Sequence, residues 1–520
     1  MSTSNAKPVD SSCTLLSIAD IPFGRGCSIA IGASQASPAI RPPRPALHLC
    51  RDPLRPPNNS PSPDSPKQSR HLQPISRMPE GAPGVRVLES STVAPPPGSV
   101  PESSLSHTFF DIGWLYSGPV QRVFFYPFPH PTSYFLDSVL PPLKSALSST
   151  LREFFPLAGK IRLTPGSDTK YEIHYTEGDS VSFTVAEHDG DFGQLSGSHA
   201  REYTGLVPLI PQLPDPDDGG RKVMAVQVTL FPNRGVVVAV TVHHAACDGS
   251  SSTRFVSSWA CRTAGKEKVA PAPPFFDRSS VPNPNDLYTK FFNSLASDAQ
   301  SIESMMIQFA PPDAVVGTVT LKSDDIRKLK EAVSSEANSF RCSTILVVYA
   351  YAWVCLVKAR AYDEDKTVHF AFPGNCRERL QPPLPAEYFG NCVGGYFAEA
   401  KAGDLAGEDG FQTAARIIGE AIERFKAGPV KDAEKWPEKY QEIGLQQPLS
   451  VAGSPRFKVY DVDFGWGRPA KVDMPSITWV GAISVSESRD EQGAVEIGLV
   501  LSKPEMESFA AHFSNDLKLF

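Results

Sequence analysis

The sequence predicts a mixed α/β protein: two layered halves of strands and helices joined by one linker. Three observations carry this. Short β-branched and aromatic runs bounded by turn residues recur in both halves, as in VRVLESSTV, VSFTVAEH, VGTVTLK and AVEIGLVLS. Helical periods stand among them. After Leu140, residues Leu143, Ala146, Leu147 and Leu151 share one face, and DDIRKLKEAVSSEA repeats the pattern from Asp324. Between the halves lies GKEKVAPAPPFFDRSSVPNPNDL, a Pro-rich polar stretch suited to a linker.

Taken in order, a strand from about Val85 leads into a Pro-rich turn. The helix from Leu140 stops at PLAG, and strands YEIHY and VSFTVAEH follow. KVMAVQVTLF and GVVVAVTVHH flank PNRG and form a hairpin. SSSTRFVSSWACRTAG is a helix with a serine N-cap, ending at Gly265. Past the linker come strand VGTVTLK, helix DDIRKLKEAVSSEA, a buried helix over Ile345–Val357, strand TVHFAFP, and strands near ITWVGAISVSES and AVEIGLVLS. The expected boundaries are an extension over 1–77, a first domain over 78–264, a linker over 265–312 and a second domain over 313–520. The segment near 387–402 is expected to be able to cross into the other domain's sheet.

A chain of 520 residues with 41% hydrophobic and 21% charged residues suits a soluble globular protein. Its net charge of -7 argues against nucleic-acid binding through a basic surface. The 13-residue run Ile345–Val357 is too short to span a bilayer, so no membrane partner is expected. Nine cysteines without a C-x-x-C pair suggest reduced thiols in a reducing compartment. No basic start precedes an apolar h-region, and a cytoplasmic location is expected.

The first 77 residues differ from the rest. They hold 13 of the 50 prolines, no glutamate and a net charge of +5, which leaves -12 for the remainder. RPPRP and PPNNSPSPDSP suit neither helix nor ladder, so a disordered extension is expected. It reads as a plastid-transit-like leader, a functional tail or an upstream extension. An ordinary-looking start at Met78 favours the last.

The stretch VVVAVTVHHAACDGSSSTRF (Val236–Phe255) carries the chemistry. Alternation puts Val236, Val238, Val240, Val242 and His244 on one face, so His244 ends an apolar stripe where the strand leaves the sheet. Asp248 follows in a tight turn that Gly249 could complete with positive φ. The next helix brings its first amides close to developing negative charge. A neutral imidazole there can take a proton from an alcohol and return it to a leaving group. Asp248 can fix the ring or the loop; spacing does not decide which. His243 and His244 point to opposite faces and no third ligand has the right spacing, so no metal is expected. Neither G-x-x-x-x-G-K-[ST] nor G-x-G-x-x-G is present.

HHAACDG (His243–Gly249) resembles the H-x-x-x-D-G signature of the plant BAHD acyltransferases. DFGWG (Asp463–Gly467) matches that family's second signature, FFPLAGKIRL looks like its N-terminal segment, and YFGNC is similar to the motif of its anthocyanin and phenolic glucoside malonyltransferase subgroup. The four occur in the family's order, from about Val85 onward. The resemblance implies two chloramphenicol-acetyltransferase-like α/β domains, mixed sheets flanked by helices, with a channel at their interface. It implies His244 as general base with no acyl-enzyme, and Asp248 as structural partner paired with Arg377. Asp463, Gly465, Trp466 and Gly467 are implied to be structural, with Asp463 and Trp466 alternatively linked indirectly to CoA. It further implies acyl-CoA, with malonyl-CoA favoured, as co-substrate, no tightly bound cofactor, a glycosylated phenolic acceptor, and a monomer as sufficient. A free carboxylate on the acyl group needs a cation, for which Arg254 is the candidate. Alternatives are the same mechanism with hydroxycinnamoyl-CoA or acetyl-CoA, a condensation-type enzyme, or a non-catalytic binding module.

Overall fold

The computed structural model describes residues 84–520 apart from 215–219, 296–310, 312, 335–339 and 445. The expected extension over 1–77 and the start at Met78 lie outside the described residues.

The hairpin forms as its residues dictate. Strands Met224–Phe231 and Gly235–Val242 pair antiparallel, with Leu230 opposite Val236 and Val226 opposite Val240. Asn233 takes the left-handed conformation its turn requires, at φ 60°. Every residue of Gly235–Val242 is buried, because the sheet is covered on both faces. Val236, Val238, Val240 and Val242 pack into the large core of the first half, with helix residues Leu143, Leu147, Phe255 and Trp259. Val237 and Ala239 face the other way, against Leu206, Leu209, Ile210 and Val316.

This hairpin lies inside a six-stranded mixed sheet, ordered Val85–Val93, Val181–His188, Met224–Phe231, Gly235–Val242, Val120–Pro127, Lys471–Asp473. A seven-stranded sheet forms the second layer, ordered Val393–Lys401, Thr367–Asn375, Leu449–Gly453, Ala482–Glu487, Val495–Ser502, Ala314–Leu321, Arg201–Glu202. Four short strands, Ser103–Ser106, Tyr171–Tyr175, Lys160–Leu163 and Arg221–Lys222, form a third sheet.

The two layers exchange edge strands. Lys471–Asp473 comes from the second half and joins the first sheet, while Arg201–Glu202 makes the reverse crossing. A buried two-pronged ion pair joins the crossings: Arg201 Nη1 and Nη2 donate to the two Asp473 carboxylate oxygens at 2.8 and 3.1 Å. The segment near 387–402, expected to be able to cross, does not supply the exchanged strand. Val393–Lys401 stays in the second sheet, paired along its length with Thr367–Asn375. Nine register pairs hold it there. The strand expected near ITWVGAISVSES occupies its second half. Pro475–Val480 is a 3₁₀ turn and the strand begins at Ala482, after Gly481 at φ 58°.

Helix Thr344–Arg360 fills the second core. Ser343 Oγ caps it by accepting the Leu346 amide, and Leu346 to Val357 are all buried. Such an all-round apolar helix is stable only when enclosed. It is wrapped by helices Gly410–Ala427 and Lys503–Asp516 and by the sheet. Among the described residues no helix is long and apolar enough to cross a membrane.

Candidate active site

His243 and His244 lie just past Val242, in the turn that leaves the sheet. The His243 amide still donates to Val223 O at 2.8 Å. Its ring is buried, and its Nδ1 accepts the Ala245 amide at 3.2 Å. His244 is half-buried. Its Nδ1 is buried without a hydrogen-bond partner, which leaves Nε2 as the accessible nitrogen. The ring lies flat on Trp114, with centroids 3.9 Å apart and planes inclined by 4°. Burial lowers the His244 pKa from its ordinary 6.5. Its own carbonyl, Asp248, Asn391 and Asp111 oppose that effect. The ring is therefore neutral and basic at physiological pH, as a proton acceptor must be.

Asp248 fixes the loop. Oδ1 accepts the Ser251 amide at 3.1 Å, making Asp248 the N-cap of helix Gly249–Thr263. Oδ2 accepts from Arg377 Nη1 at 2.7 Å and from the Cys392 amide at 3.1 Å. Two expectations are corrected here. The cap is Asp248 rather than a serine, since its carboxylate adds charge to a helix start that favours anions. Gly249 does not adopt positive φ; it is the first helical residue, and a Cβ there would sit 2.7 Å from the Phe457 ring.

Arg377 is almost fully buried and joins the two halves. Besides Asp248, it donates to Tyr388 O and Gly390 O at 3.1 Å and to Ser251 Oγ at 3.3 Å. Burial works against its charge, and Asp248 more than compensates, raising the guanidinium pKa. The YFGNC loop is thus clamped from both sides. At Gly390, with φ 144°, a Cβ would run into the Arg278 guanidinium.

Three further residues escaped the sequence reading. Trp114, in DIGWL, bears no motif spacing that would mark it. Asp111 is fully buried and its carboxylate accepts five hydrogen bonds. Thr108 N, Thr108 Oγ1 and Arg278 Nη1 donate to Oδ2 at 2.7–2.8 Å, and Asn391 N and Nδ2 donate to Oδ1 at 2.8 and 3.1 Å. Burial disfavours its charge, yet Arg278, His107 and the donors hold the carboxyl below the usual range. The only sequence signal was the three-residue spacing from Thr108 to Asp111, that of a capping box. Arg278 comes from the stretch read as a linker, yet its side chain is buried.

Arg254 is half-buried. It donates to Ala272 O and Ala386 O at 3.3 Å and lies 3.6 Å from Glu387, so it holds the linker and the approach to YFGNC. Asp463 accepts from Gly465 N, Gly467 N and Lys266 Nζ at 2.7–2.9 Å. Trp466 packs among Phe464, Tyr126 and Phe128. Among the described residues no three His, Cys, Asp or Glu side chains are grouped to hold a metal ion.

Two neighbouring histidines make the fold acid-sensitive. Burial drives His107 down to about 4 and His243 to about 3 from 6.5. The unfolded chain therefore binds protons that the folded chain refuses. Their contribution to stability is full above pH 6.5 and is lost as pH falls below it. The urea midpoint is expected to decline from pH 6.5 toward 4, and His107→Phe should flatten the decline. An unchanged slope in that variant would contradict the assignment.

Residues 85–516 match the Transferase family. The chain belongs to the plant BAHD acyltransferases. It is an acyl-CoA-dependent acyltransferase with their two-sheet, chloramphenicol-acetyltransferase-like fold. It is 39% identical to phenolic glucoside malonyltransferase 2 of Arabidopsis thaliana, covering 83% of this chain and 99% of that protein. It is 35% identical to a malonyl-coenzyme A:anthocyanin 3-O-glucoside-6''-O-malonyltransferase of Dahlia pinnata (84% and 99%). It is also 35% identical to agmatine coumaroyltransferase of Arabidopsis thaliana (82% and 98%). Vinorine synthase shares the fold at TM-score 0.61 and 21% identity over 82% of this chain and 96% of that one. So does F. sporotrichioides TRI101 complexed with coenzyme A and T-2, at TM-score 0.56 and 15% identity (79% and 97%).

Proposed function

We propose that this BAHD enzyme transfers an acyl group, malonyl in preference, from acyl-CoA to a hydroxyl of a phenolic or flavonoid glucoside. His244 acts as general base. The observation that carries the mechanism is the half-buried His244 ring, neutral, stacked on Trp114, with Nε2 as its accessible nitrogen. Nε2 removes the proton of the acceptor hydroxyl as its oxygen attacks the thioester carbonyl. The tetrahedral oxyanion collapses, the carbon–sulfur bond breaks, and the CoA thiolate recovers the proton from the imidazolium. The Trp114 face favours that transient cation electrostatically. No acyl-enzyme intervenes. The Asp248–Arg377 pair holds geometry rather than moving protons.

The malonyl and glucoside preferences draw support from the malonyltransferase relatives. Agmatine coumaroyltransferase keeps a hydroxycinnamoyl donor as the second reading. Thiol release from malonyl-, acetyl- and coumaroyl-CoA, each with phenolic glucosides, anthocyanin glucosides and agmatine, separates them. Malonyl-CoA with a glucoside should give the highest kcat/KM; a coumaroyl-CoA and agmatine optimum would replace this reading.

Because neutral His244 is the active form, the acidic limb of kcat/KM should lie below pH 6.5, activity falling as pH drops through it. A limb above that value would contradict a buried base. Arg254 remains the proposed partner of the malonyl carboxylate. Arg254→Ala should raise KM for malonyl-CoA about tenfold more than for acetyl-CoA, roughly the loss of one charge-assisted contact. Equal effects on both donors would leave Arg254 only its contacts with Ala272, Ala386 and Glu387.

A further inference from the structure

We propose that Asn391, the asparagine of YFGNC, is a positioning residue that selects the tautomer in which His244 Nε2 is the base. It does so by tying the His244 turn to the buried Asp111–Arg278 pair. The inference rests on His244 as the general base and adds what orients it.

Asn391 is fully buried, and its amide orientation is fixed by its neighbours. Nδ2 donates to Asp111 Oδ1 at 3.1 Å and to His244 O at 2.9 Å, which uses both of its hydrogens. An ionised carboxylate and a carbonyl only accept, so the amide cannot be reversed. Asp111 is immobilised in turn by Arg278 and Thr108, and Arg278 Nη1 also reaches Tyr388 Oη at 2.9 Å. The remaining Asn391 atom, Oδ1, is therefore an acceptor. It is buried and has no hydrogen-bond partner, and His244 Nδ1 is buried and unpartnered as well. Two orphaned polar groups in one buried cluster are costly unless they meet. The His244 carbonyl and, after it, the Asn391 side chain act on the ring as acceptors that favour a proton on it.

An acceptor beside Nδ1 stabilises the Nδ1–H form and leaves the Nε2 lone pair free. The ring is held from its other sides by Trp114, which stacks on it. The charged or titratable groups acting on it are Asp248 at the helix cap, Asp111 on the segment Phe109–Ile112, and neighbouring His243. Asp111 thus acts on the ring both through its charge and through Asn391, which it holds in place together with Arg278. This gives the YFGNC asparagine a physical task within the reaction.

The test compares Asn391→Leu with wild type, using malonyl-CoA and 4-nitrophenyl β-glucoside as probes. Asn391→Ser, whose hydroxyl is too short to bridge Asp111 and His244, serves as second variant should the leucine chain fail to fold. The expected kcat falls about 10- to 100-fold, the scale of a misplaced catalytic group, while KM for malonyl-CoA changes little. The acidic limb of kcat/KM moves to lower pH, because an acceptor favouring protonation is gone. In a His244→Ala background neither variant lowers the residual rate further. A substrate-independent arm reads the His244 tautomer by ¹⁵N NMR: Nδ1–H in wild type, a tautomer mixture in the variants. Wild-type kcat in both variants, a proportional loss in the His244→Ala background, or identical tautomers would overturn the proposal. If wild type is inactive with these probes, the substrate reading fails and the tautomer comparison still decides the role of Asn391.

Discussion

Alanine at position 244 is expected to lower kcat by about 10²- to 10⁴-fold, the usual contribution of a general base. Stability and acyl-CoA affinity should remain nearly unchanged. The fold loses little at the ring: the turn is held by the His244 carbonyl, which accepts from Asn391 and which alanine keeps. Stacking on Trp114 is the main packing forfeited. Steady-state kinetics beside a urea titration checks both halves. A near-normal kcat would remove His244 from the chemistry.

The second large effect concerns stability. Arg377→Met is expected to destabilise the fold by about 3–5 kcal/mol, the cost of leaving a buried charge without its partner. Asp248 and Arg377 are only 3% and 2% exposed, and Arg377 also carries the carbonyls of Tyr388 and Gly390. Arg377→Met with Asp248→Asn should recover part of the loss, because the orphaned carboxylate is then neutral. Denaturant titration of the single and double variants measures this coupling. Loss of less than about 1 kcal/mol in the single variant, the scale of a surface pair, would contradict the account. Activity should fall too, since the pair fixes the loop that presents His244.

Local signals made the hairpin and His244 legible in the sequence. Alternation and PNRG marked the strands, and the histidine and aspartate that follow the β-branched stripe marked the candidate site. Helix Thr344–Arg360 was legible because a run apolar on every face has no stable exposed form. Exchange of Lys471–Asp473 and Arg201–Glu202 between sheets was not legible. Those strands have three and two residues, too short for periodicity, and their ion pair joins positions 272 residues apart. Asp248 could be read as a partner of the ring or of the loop, and only its bonds to Ser251, Cys392 and Arg377 separate the two. Trp114 and the Asp111–Arg278–Asn391 group were hidden for the same reason. Their members come from a short helix, the linker and a loop of the second half, and no local pattern reports that they meet.

The central claim is that Nε2 of His244 takes the proton of the acceptor hydroxyl. The most direct test is a crystal structure of the protein with a non-hydrolysable malonyl-CoA thioether and a phenolic glucoside. The account predicts a glucoside hydroxyl within about 3 Å of Nε2 and the carbonyl carbon within attack distance of that hydroxyl. A hydroxyl that approaches another base, or an Nε2 covered by protein in the complex, would contradict it.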